Sequence, residues 1–304
     1  MSALEELVRV GGARVHEHED LGARTTYRVG GSVRALVELT GPGDLEELGP
    51  LIAASGLAVM AIGNGSNLLV AEGEHELLVV RLGAGFRDLT WRDEGDGVVV
   101  DAGSVLDLPV AARRLASEGI VGFEWAVGVP GSFGGAVAMN AGGHGADMAV
   151  SVRAVQAWGP RGQTRWSPVE LAFGYRTSAL SPGDVVTAVS LQLGRGDPDR
   201  ARERIREIVR WRREHQPGGA NAGSVFRNPL NQSAGRLIEE AGAKGLRVGA
   251  AIVSERHANF IIAEPGASAW DVYSLMAKVR ELVLTRSGVE LVSEHRLIGF
   301  EPSS

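Results

Sequence analysis

Glycine is unevenly distributed along this chain, and its clusters limit what the chain can fold into. Of 304 residues, 42 are glycine, and many fall at residues 63–65, 128–145 and 218–223. Because glycine has no Cβ atom, it occurs where the backbone turns tightly or approaches a ligand closely. The clusters therefore predict loops that turn tightly or bring backbone against a bound molecule.

Composition excludes several classes of protein. The net charge of −6 gives no overall attraction to nucleic acid or an anionic membrane, so local donors must bind any phosphate group. Cysteine is absent, which excludes disulfides, thiolate metal sites and a cysteine nucleophile. Residues 1–10 lack the apolar stretch of a signal peptide, and no run reaches membrane-spanning length. We therefore expect a cytoplasmic protein that binds neither nucleic acid nor membrane.

Apolar periodicity predicts helices and strands mixed along one chain. Strands are predicted at residues 35–39, 77–82, 98–102 and 185–191, and helices at residues 42–55, 108–118 and 199–216. In the last of these helices glutamates alternate with arginines, which favours a solvated face over a nucleic-acid-binding one. We place a domain boundary just before it, which predicts domains at residues 1–197 and 198–304.

Two further elements are predicted near the C-terminus. Ser268 and Asp271 resemble a capping box, and the apolar stripe that follows ends at Gly288, which predicts an amphipathic helix. Residues 289–300 are predicted to form a last strand. Its period of two would place Glu294 and Arg296 on the same face.

Two glycine-rich loops are candidates for ligand binding. Residues 63–69 follow the apolar run 57–62, so a strand leads into a loop whose N–H groups can converge on an anion such as a pyrophosphate. Residues 128–136 lead into the small residues 137–145, which suit backbone packed against a flat ligand. Neither loop has the dinucleotide-binding G-x-G-x-x-G pattern, and the chain has no P-loop motif. Taken singly, either loop could be only a glycine-rich turn.

Taken together, the loops resemble the flavin-binding segments of the UDP-N-acetylenolpyruvoylglucosamine reductases, which read approximately G-N-G-S-N-L-L and G-x-P-G-x-x-G-G-A-x-x-M-N-A-G. The resemblance extends to further blocks in the order of the family. These blocks lie at residues 24–31, 173–178, 222–229, 234–245, 257–260 and 294–299. Since the blocks span nearly the whole chain in the order of the family, chance does not explain the match.

The resemblance implies an α+β fold, with an FAD-binding region of the vanillyl-alcohol-oxidase (PCMH) type and a smaller C-terminal α/β substrate-binding domain. It implies non-covalent FAD, with NADPH as co-substrate. The short spacing between Arg176 and Ser224 resembles the shorter family subtype, which lacks an inserted loop carrying a substrate-clamping Tyr. The cofactor-binding residues that the resemblance implies are Gly63, Asn64, Gly65, Ser66, Asn67, Leu68, Gly128, Pro130, Gly131, Ser132, Gly134, Gly135, Asn140, Ala141, Gly142 and His144.

The implied reaction is the reduction of UDP-N-acetylglucosamine enolpyruvate to UDP-N-acetylmuramate in peptidoglycan precursor synthesis. A vinyl ether conjugated to a carboxylate accepts hydride from flavin N5 at its terminal carbon, because the remaining charge delocalises into the carboxylate. The resemblance assigns Arg176 to that carboxylate, Ser224 to proton donation, and Glu294 on the last strand to polarising the carboxylate or orienting a water. Further substrate contacts are expected at Tyr175, Arg227, Asn228, Lys244, His257 and Arg296.

Other interpretations stay open at this stage. In isolation, Arg176 would be explained as a surface residue, Ser224 as a turn residue and Glu294 as an exposed strand residue. The chain could also be another FAD-dependent oxidase or dehydrogenase of the same fold, or a non-catalytic binder of the nucleotide-sugar. Residues 16–20 are rich in His and Glu but lack metal-ligand spacing, so we expect no metal. Arg24 and His144 depart from the family pattern. Separately, we expect the protein to be a monomer or a weak dimer.

Overall fold

The computed structural model describes residues 2–159 and 162–300. The predicted domains begin at residue 1 and end at residue 304, so their outer ends lie outside the described residues. The α-helices are α1 (Ala3–Gly11), α2 (Pro42–Ala54), α3 (Leu108–Ser117), α4 (Phe133–Ala138), α5 (Pro168–Leu171), α6 (Pro198–His215), α7 (Ala234–Glu240) and α8 (Ala269–Ser287). The strands are β1 (Val15–Asp20), β2 (Ser32–Leu39), β3 (Ala58–Ile62), β4 (Leu68–Val70), β5 (Glu74–Leu82), β6 (Leu89–Glu94), β7 (Gly97–Gly103), β8 (Ile120–Val121), β9 (Gly142–Gly143), β10 (Ala146–Asp147), β11 (Val152–Gly159), β12 (Gly162–Trp166), β13 (Val185–Arg195), β14 (Arg247–Val248), β15 (Ala251–Val253), β16 (Ile261–Ala263) and β17 (Arg296–Ile298).

The elements with the clearest sequence patterns are present as predicted. Strands β2, β5, β7 and β13 contain the predicted runs, and helices α2, α3 and α6 lie close to their predicted bounds. Helix α8 begins at the predicted capping box, where Ser268 Oγ accepts a hydrogen bond from the Asp271 N–H at 3.0 Å. It ends at Gly288, whose φ of 70° is the left-handed conformation that glycine adopts readily.

The sheets differ in how their strands run. A six-stranded sheet has the order β12-β11-β13-β7-β6, with β8 also paired to β13, and a four-stranded sheet has the order β1-β2-β5-β3. A three-stranded sheet has the order β14-β15-β16, and β17 pairs in parallel with β4. Strand β3 is parallel to β5, so the loop after β3 begins at the carboxyl end of a parallel strand, where ligands are often bound.

The chain forms two compact units, and each has its own apolar core. The first unit contains the chain up to Glu17 together with Arg34–Gly63 and Glu76–Arg212, and the second contains His18–Val33, Asn64–His75 and the chain from Arg213 onward. In the first unit, one cluster packs helices α3, α4 and α6 against the six-stranded sheet, and another surrounds α2 and the four-stranded sheet. In the second unit, α7 and α8 pack against β15 and β16.

The compact units differ from the predicted division at residues 197 and 198. Helix α6 places Ala201, Ile205 and Ile208 in the core of the first unit, so most of this helix belongs to that unit by its packing. The domain boundary itself stays a prediction.

The last strand is much shorter than residues 289–300. Only Arg296–Ile298 forms β17, and Ser293 forms an isolated bridge with Phe226. Glu294 therefore lies before the strand rather than within it. The alternating pattern indicated an extended segment, but it could not show how much of that segment has a partner strand.

Candidate active site

The second glycine-rich loop enters α4 in the first unit. Its backbone is tied to the preceding segment, because Gly131 O accepts a hydrogen bond from Leu108 N at 3.0 Å and Gly134 N donates to Ser104 O at 2.9 Å. Gly131 has a φ of 142°, a conformation that residues with a side chain rarely adopt. Ser132 is the N-cap residue of α4 and is only 3% exposed.

Gly63, the first residue of the first glycine-rich loop, lies against the second loop within the first unit. A Cβ atom added to Gly63 would lie 2.6 Å from Ser132 Oγ, and one added to Gly134 would lie 3.3 Å from Ser104 Cβ. The buried Ser104 Oγ has no hydrogen-bond partner among the described residues. An added side chain would be crowded at both glycines, and this close packing next to an unsatisfied hydroxyl fits a ligand that carries hydrogen-bonding groups. These residues therefore fit a flavin dinucleotide held by backbone, and Ser104 is a candidate contact that the sequence did not indicate.

The side-chain amide of Asn140 is hydrogen-bonded to other groups of the protein. Its Nδ2 donates to Asp147 Oδ2 at 3.2 Å and to Gly174 O at 2.9 Å, and its Oδ1 accepts from Ala149 N at 3.0 Å. Both amide hydrogens are thereby engaged, and the residue is 3% exposed. A contribution of Asn140 to cofactor binding would thus come from fixing neighbouring backbone.

His144 lies in the turn of the hairpin that β9 and β10 form. His144 and Gly145 both have positive φ, 54° and 92°, as a two-residue type I′ turn requires. The imidazole packs edge to face against Trp211 at 5.3 Å, and a Cβ atom on Gly128 would lie 2.7 Å from the ring. Burial, together with the charges of Arg204 and Arg212, lowers the pKa of His144, so the ring is neutral at pH 7. The departure from the family pattern therefore fixes this hairpin against α6.

Arg176 stands at the tip of a tight turn beside this segment. Gly174 and Thr177 exchange both backbone hydrogen bonds, and Arg176 between them has a φ of 57°. An arginine in the left-handed region is unusual and persists only where surrounding contacts hold it. Those contacts are the Asn140 bond to Gly174, the bond from Arg176 to Gly142 O at 3.1 Å, and a bond from Ser178 to Ala138 O at 2.9 Å.

Arg176 is thus anchored to the predicted flavin-binding segment. Its guanidinium carbon also lies 5.4 Å from the centre of the Tyr175 ring, which is 53% exposed. The structure brings together Tyr175, Arg176 and residues 140–142, which the sequence could connect only by resemblance.

In the second unit, the loop that follows Gly63 packs against residues 24–26. A Cβ atom on Gly65, whose φ is 61°, would overlap Arg24 O and lie 2.9 Å from Thr25 Cα. Thr26 N donates to Gly65 O at 3.1 Å, while the buried Thr26 Oγ1 has no hydrogen-bond partner among the described residues. Thr26 therefore provides a second hydroxyl that could meet a ligand beside the loop, and no sequence pattern indicates it.

Ser224 and Glu294 lie on neighbouring extended segments of the second unit. Glu294 N donates to Val225 O at 2.8 Å and Arg227 N donates to Val292 O at 2.9 Å, so the segments run antiparallel. Ser224 and Glu294 are both half-buried. The pairing brings the segment of the predicted proton donor next to the segment of the predicted acid, although the two form only an isolated bridge there.

Asn259 clamps the segment that carries Ser224. Its Oδ1 accepts from Phe226 N at 2.9 Å and its Nδ2 donates to Phe226 O at 2.8 Å, while its own carbonyl accepts from Val225 N. The side chain is 3% exposed. Asn259 belongs to a recognised sequence block, but this role depends on a contact distant in sequence and was not predicted.

The remaining predicted substrate residues have varied surroundings. Arg227 Nε is buried with no hydrogen-bond partner among the described residues, which suits an anionic ligand. Asn228 Oδ1 accepts from Ala234 N at the start of α7, and Lys244 pairs with Glu239 at 2.7 Å. Burial lowers the pKa of both His257 and Arg296.

Within residues 2–159 and 162–300, His, Asp and Glu form no group able to hold a metal ion. No helix in the same ranges is both long and apolar enough to cross a membrane.

Family comparisons agree with this architecture. Residues 33–167 match the family described as FAD binding domain, and residues 215–298 match the family described as UDP-N-acetylenolpyruvoylglucosamine reductase, C-terminal domain. The fold and its glycine-lined cradle thus define an FAD-binding flavoprotein. The predicted α+β fold, with an FAD-binding region followed by a smaller C-terminal domain, is confirmed.

Individual relatives identify the family. A UDP-N-acetylenolpyruvoylglucosamine reductase of Anoxybacillus flavithermus is 38% identical over 97% of this chain and 98% of its own, and one of Heliobacterium modesticaldum is 41% identical over 93% and 90%. The crystal structure of the Thermus caldophilus reductase superposes with a TM-score of 0.80 at 36% identity, covering 94% of this chain and 99% of that one. The chain belongs to the UDP-N-acetylenolpyruvoylglucosamine reductase family, as its sequence blocks predict.

Proposed function

We infer that this protein reduces UDP-N-acetylglucosamine enolpyruvate to UDP-N-acetylmuramate with NADPH and FAD, a step in peptidoglycan precursor synthesis. The observation that carries this proposal is its relationship, over nearly its whole length, to reductases named for that substrate. The glycine cradle and the Arg176 turn support it, because close-packed backbone suits contact with a flavin and the anchored turn holds a positive charge in place. When bound, FAD supplies the hydride that the vinyl carbon accepts.

We propose that Arg176 binds the substrate carboxylate. Its planar guanidinium stays charged and can bind a carboxylate through two donors. The positive φ and the anchored turn fix its position before substrate arrives. Such fixed positive charge stabilises the negative charge that develops on the carboxylate as hydride adds to the double bond.

Ser224 is the proposed proton donor to the remaining carbon. An alkanol is a weak acid, but an enolate-like carbanion is a strong base, so transfer from the hydroxyl is feasible. Gly223 N donates to Asn221 Oδ1 at 3.1 Å and Asn259 fixes the residues that follow, so the backbone around Ser224 is held on both sides. Glu294 is the proposed partner that polarises the carboxylate or orients a water. The cytoplasmic location, the monomer or weak dimer, and the contacts of Lys244 and Arg296 stay predictions.

A simple assay tests the proposal. The purified protein is denatured and the released chromophore identified, and NADPH consumption is then followed with and without the enolpyruvyl sugar. We expect FAD, and oxidation of one NADPH for each sugar reduced. NADPH oxidation that depends on oxygen and is unaffected by the sugar would refute the proposed reaction.

A further inference from the structure

A buried histidine connects three segments of the second unit. His295 is 5% exposed, its Nε2 lies 3.1 Å from the Tyr27 hydroxyl, and its Nδ1 lies 3.0 Å from Asn67 Oδ1. Tyr27 is 1% exposed and meets the imidazole edge to face, with ring centres 5.6 Å apart. Both polar ends of the imidazole are therefore hydrogen-bonded inside the protein.

The hydrogen bonds fix the protonation state of the ring. Asn67 Nδ2 donates to Glu294 O at 3.0 Å, so Asn67 Oδ1 is the acceptor and His295 Nδ1 carries a hydrogen. His295 Nε2 then accepts from the Tyr27 hydroxyl. This chain of donors requires a neutral imidazole, in agreement with the lowering of its pKa by burial.

Each end of this chain reaches a segment that carries a proposed functional residue. Asn67 belongs to the glycine-rich loop after β3, and it holds Glu294 O through Nδ2 and Arg296 N through its own carbonyl at 3.0 Å. Tyr27 belongs to the same buried cluster as Ala222, which lies two residues before Ser224.

We propose that His295 is a positioning residue, which sets the loop at Asn67, the Glu294 backbone and the turn before Ser224 relative to one another. This inference rests on the proposed function, because it assigns His295 to the step in which the sugar is reduced. Burying an imidazole is costly unless both nitrogens are bonded, and an apolar side chain could fill the same space without that cost. The presence of a polar ring at this buried position is therefore explained by the hydrogen bonds through which it joins these segments.

The test separates the two half-reactions of the FAD-loaded enzyme under anaerobic conditions. In His295→Leu, reoxidation of the reduced flavin by saturating enolpyruvyl sugar should slow by about tenfold or more, because small displacements of reacting groups are costly. Reduction of the flavin by NADPH should stay within about threefold of the unaltered enzyme, because neither Ser224 nor Glu294 is assigned to that step.

Two further variants and a control make the test specific. His295→Asn places an amide nitrogen close to the position of Nδ1, so it should recover much of the lost rate. Tyr27→Phe keeps the ring and removes only the hydroxyl, so it should slow sugar reduction selectively, and it decides the question if His295→Leu does not fold. His18→Asn, at an exposed histidine whose φ of 56° asparagine tolerates, should match the unaltered enzyme.

The outcomes distinguish this inference from the proposed function. Equal slowing of both half-reactions, or sugar reduction at an unaltered rate in both His295→Leu and Tyr27→Phe, would overturn the positioning role while leaving the reaction intact. If the unaltered enzyme itself is not reoxidised by the sugar, the proposed function fails and the inference fails with it.

Discussion

Protonation of His295 should make the stability of the protein fall in mild acid. Burial lowers the pKa of this imidazole from 6.5 to about 4. In the unfolded chain the ring binds a proton at its ordinary pKa of about 6.5. As the pH falls below that value, the unfolded state binds a proton that the folded state does not bind, and the unfolded state is thereby stabilised. The stabilising effect of the neutral ring is thus complete above the ordinary pKa and is lost as the pH falls toward about 4.

The magnitude follows from the difference between the two pKa values. Each pKa unit corresponds to about 1.4 kcal/mol, so the full effect is about 3 kcal/mol, of which about 2 kcal/mol is lost between about pH 7 and about pH 5. Urea unfolding, followed by tryptophan fluorescence at several pH values, measures the free energy of unfolding.

His295→Gln provides the comparison, since glutamine does not titrate in this range. Other groups titrate in both proteins, so the quantity of interest is the difference in free energy of unfolding between the variant and the unaltered protein. That difference should shrink by about 2 kcal/mol as the pH falls from about 7 to about 5. A difference that is independent of pH would refute a buried neutral His295.

Three other substitutions test the cradle and the segments around it. Gly63→Ala should lower the content of bound FAD severalfold, because its methyl group would lie 2.6 Å from Ser132 Oγ, whereas Gly43→Ala, with nothing within 4 Å, should retain FAD; equal FAD content in both would contradict the cradle. Ser224→Ala should keep flavin reduction by NADPH but slow sugar reduction about a hundredfold or more, and unchanged turnover would remove it from the mechanism. Asn259→Ala should lower the free energy of unfolding by about 1–3 kcal/mol, because buried backbone groups lose their partner, and denaturant unfolding that shows no loss would argue against the clamp.

Local sequence signals predicted the elements that depend on local interactions. Helix α8 was predictable because Ser268, Asp271 and Gly288 each act within a few residues of the helix end. The glycine-rich loops were predictable as ligand candidates for a similar reason, since glycine permits tight turns and close approach of a ligand at its own position. Their meeting at Gly63 and Ser132 was not, because it depends on how distant segments pack.

The features that sequence could not reveal are contacts between distant segments. Strand β17 is short because its partner β4 is itself only Leu68–Val70, a limit that the alternation in residues 289–300 does not record. The same reason applies to His295, whose partners Tyr27 and Asn67 lie far away in the sequence. The buried hydroxyls of Ser104 and Thr26 carry no pattern at all, and only the structure shows that they are unsatisfied by the described residues.

Anaerobic stopped-flow absorbance of the bound flavin tests whether the enolpyruvyl sugar is the electron acceptor of the reduced enzyme. In the proposed reaction, NADPH should bleach the flavin without sugar present, and UDP-N-acetylglucosamine enolpyruvate should then restore the oxidised spectrum in the absence of oxygen. A protein that contains no FAD and cannot be reconstituted with it, or a reduced flavin that only oxygen reoxidises, would contradict it.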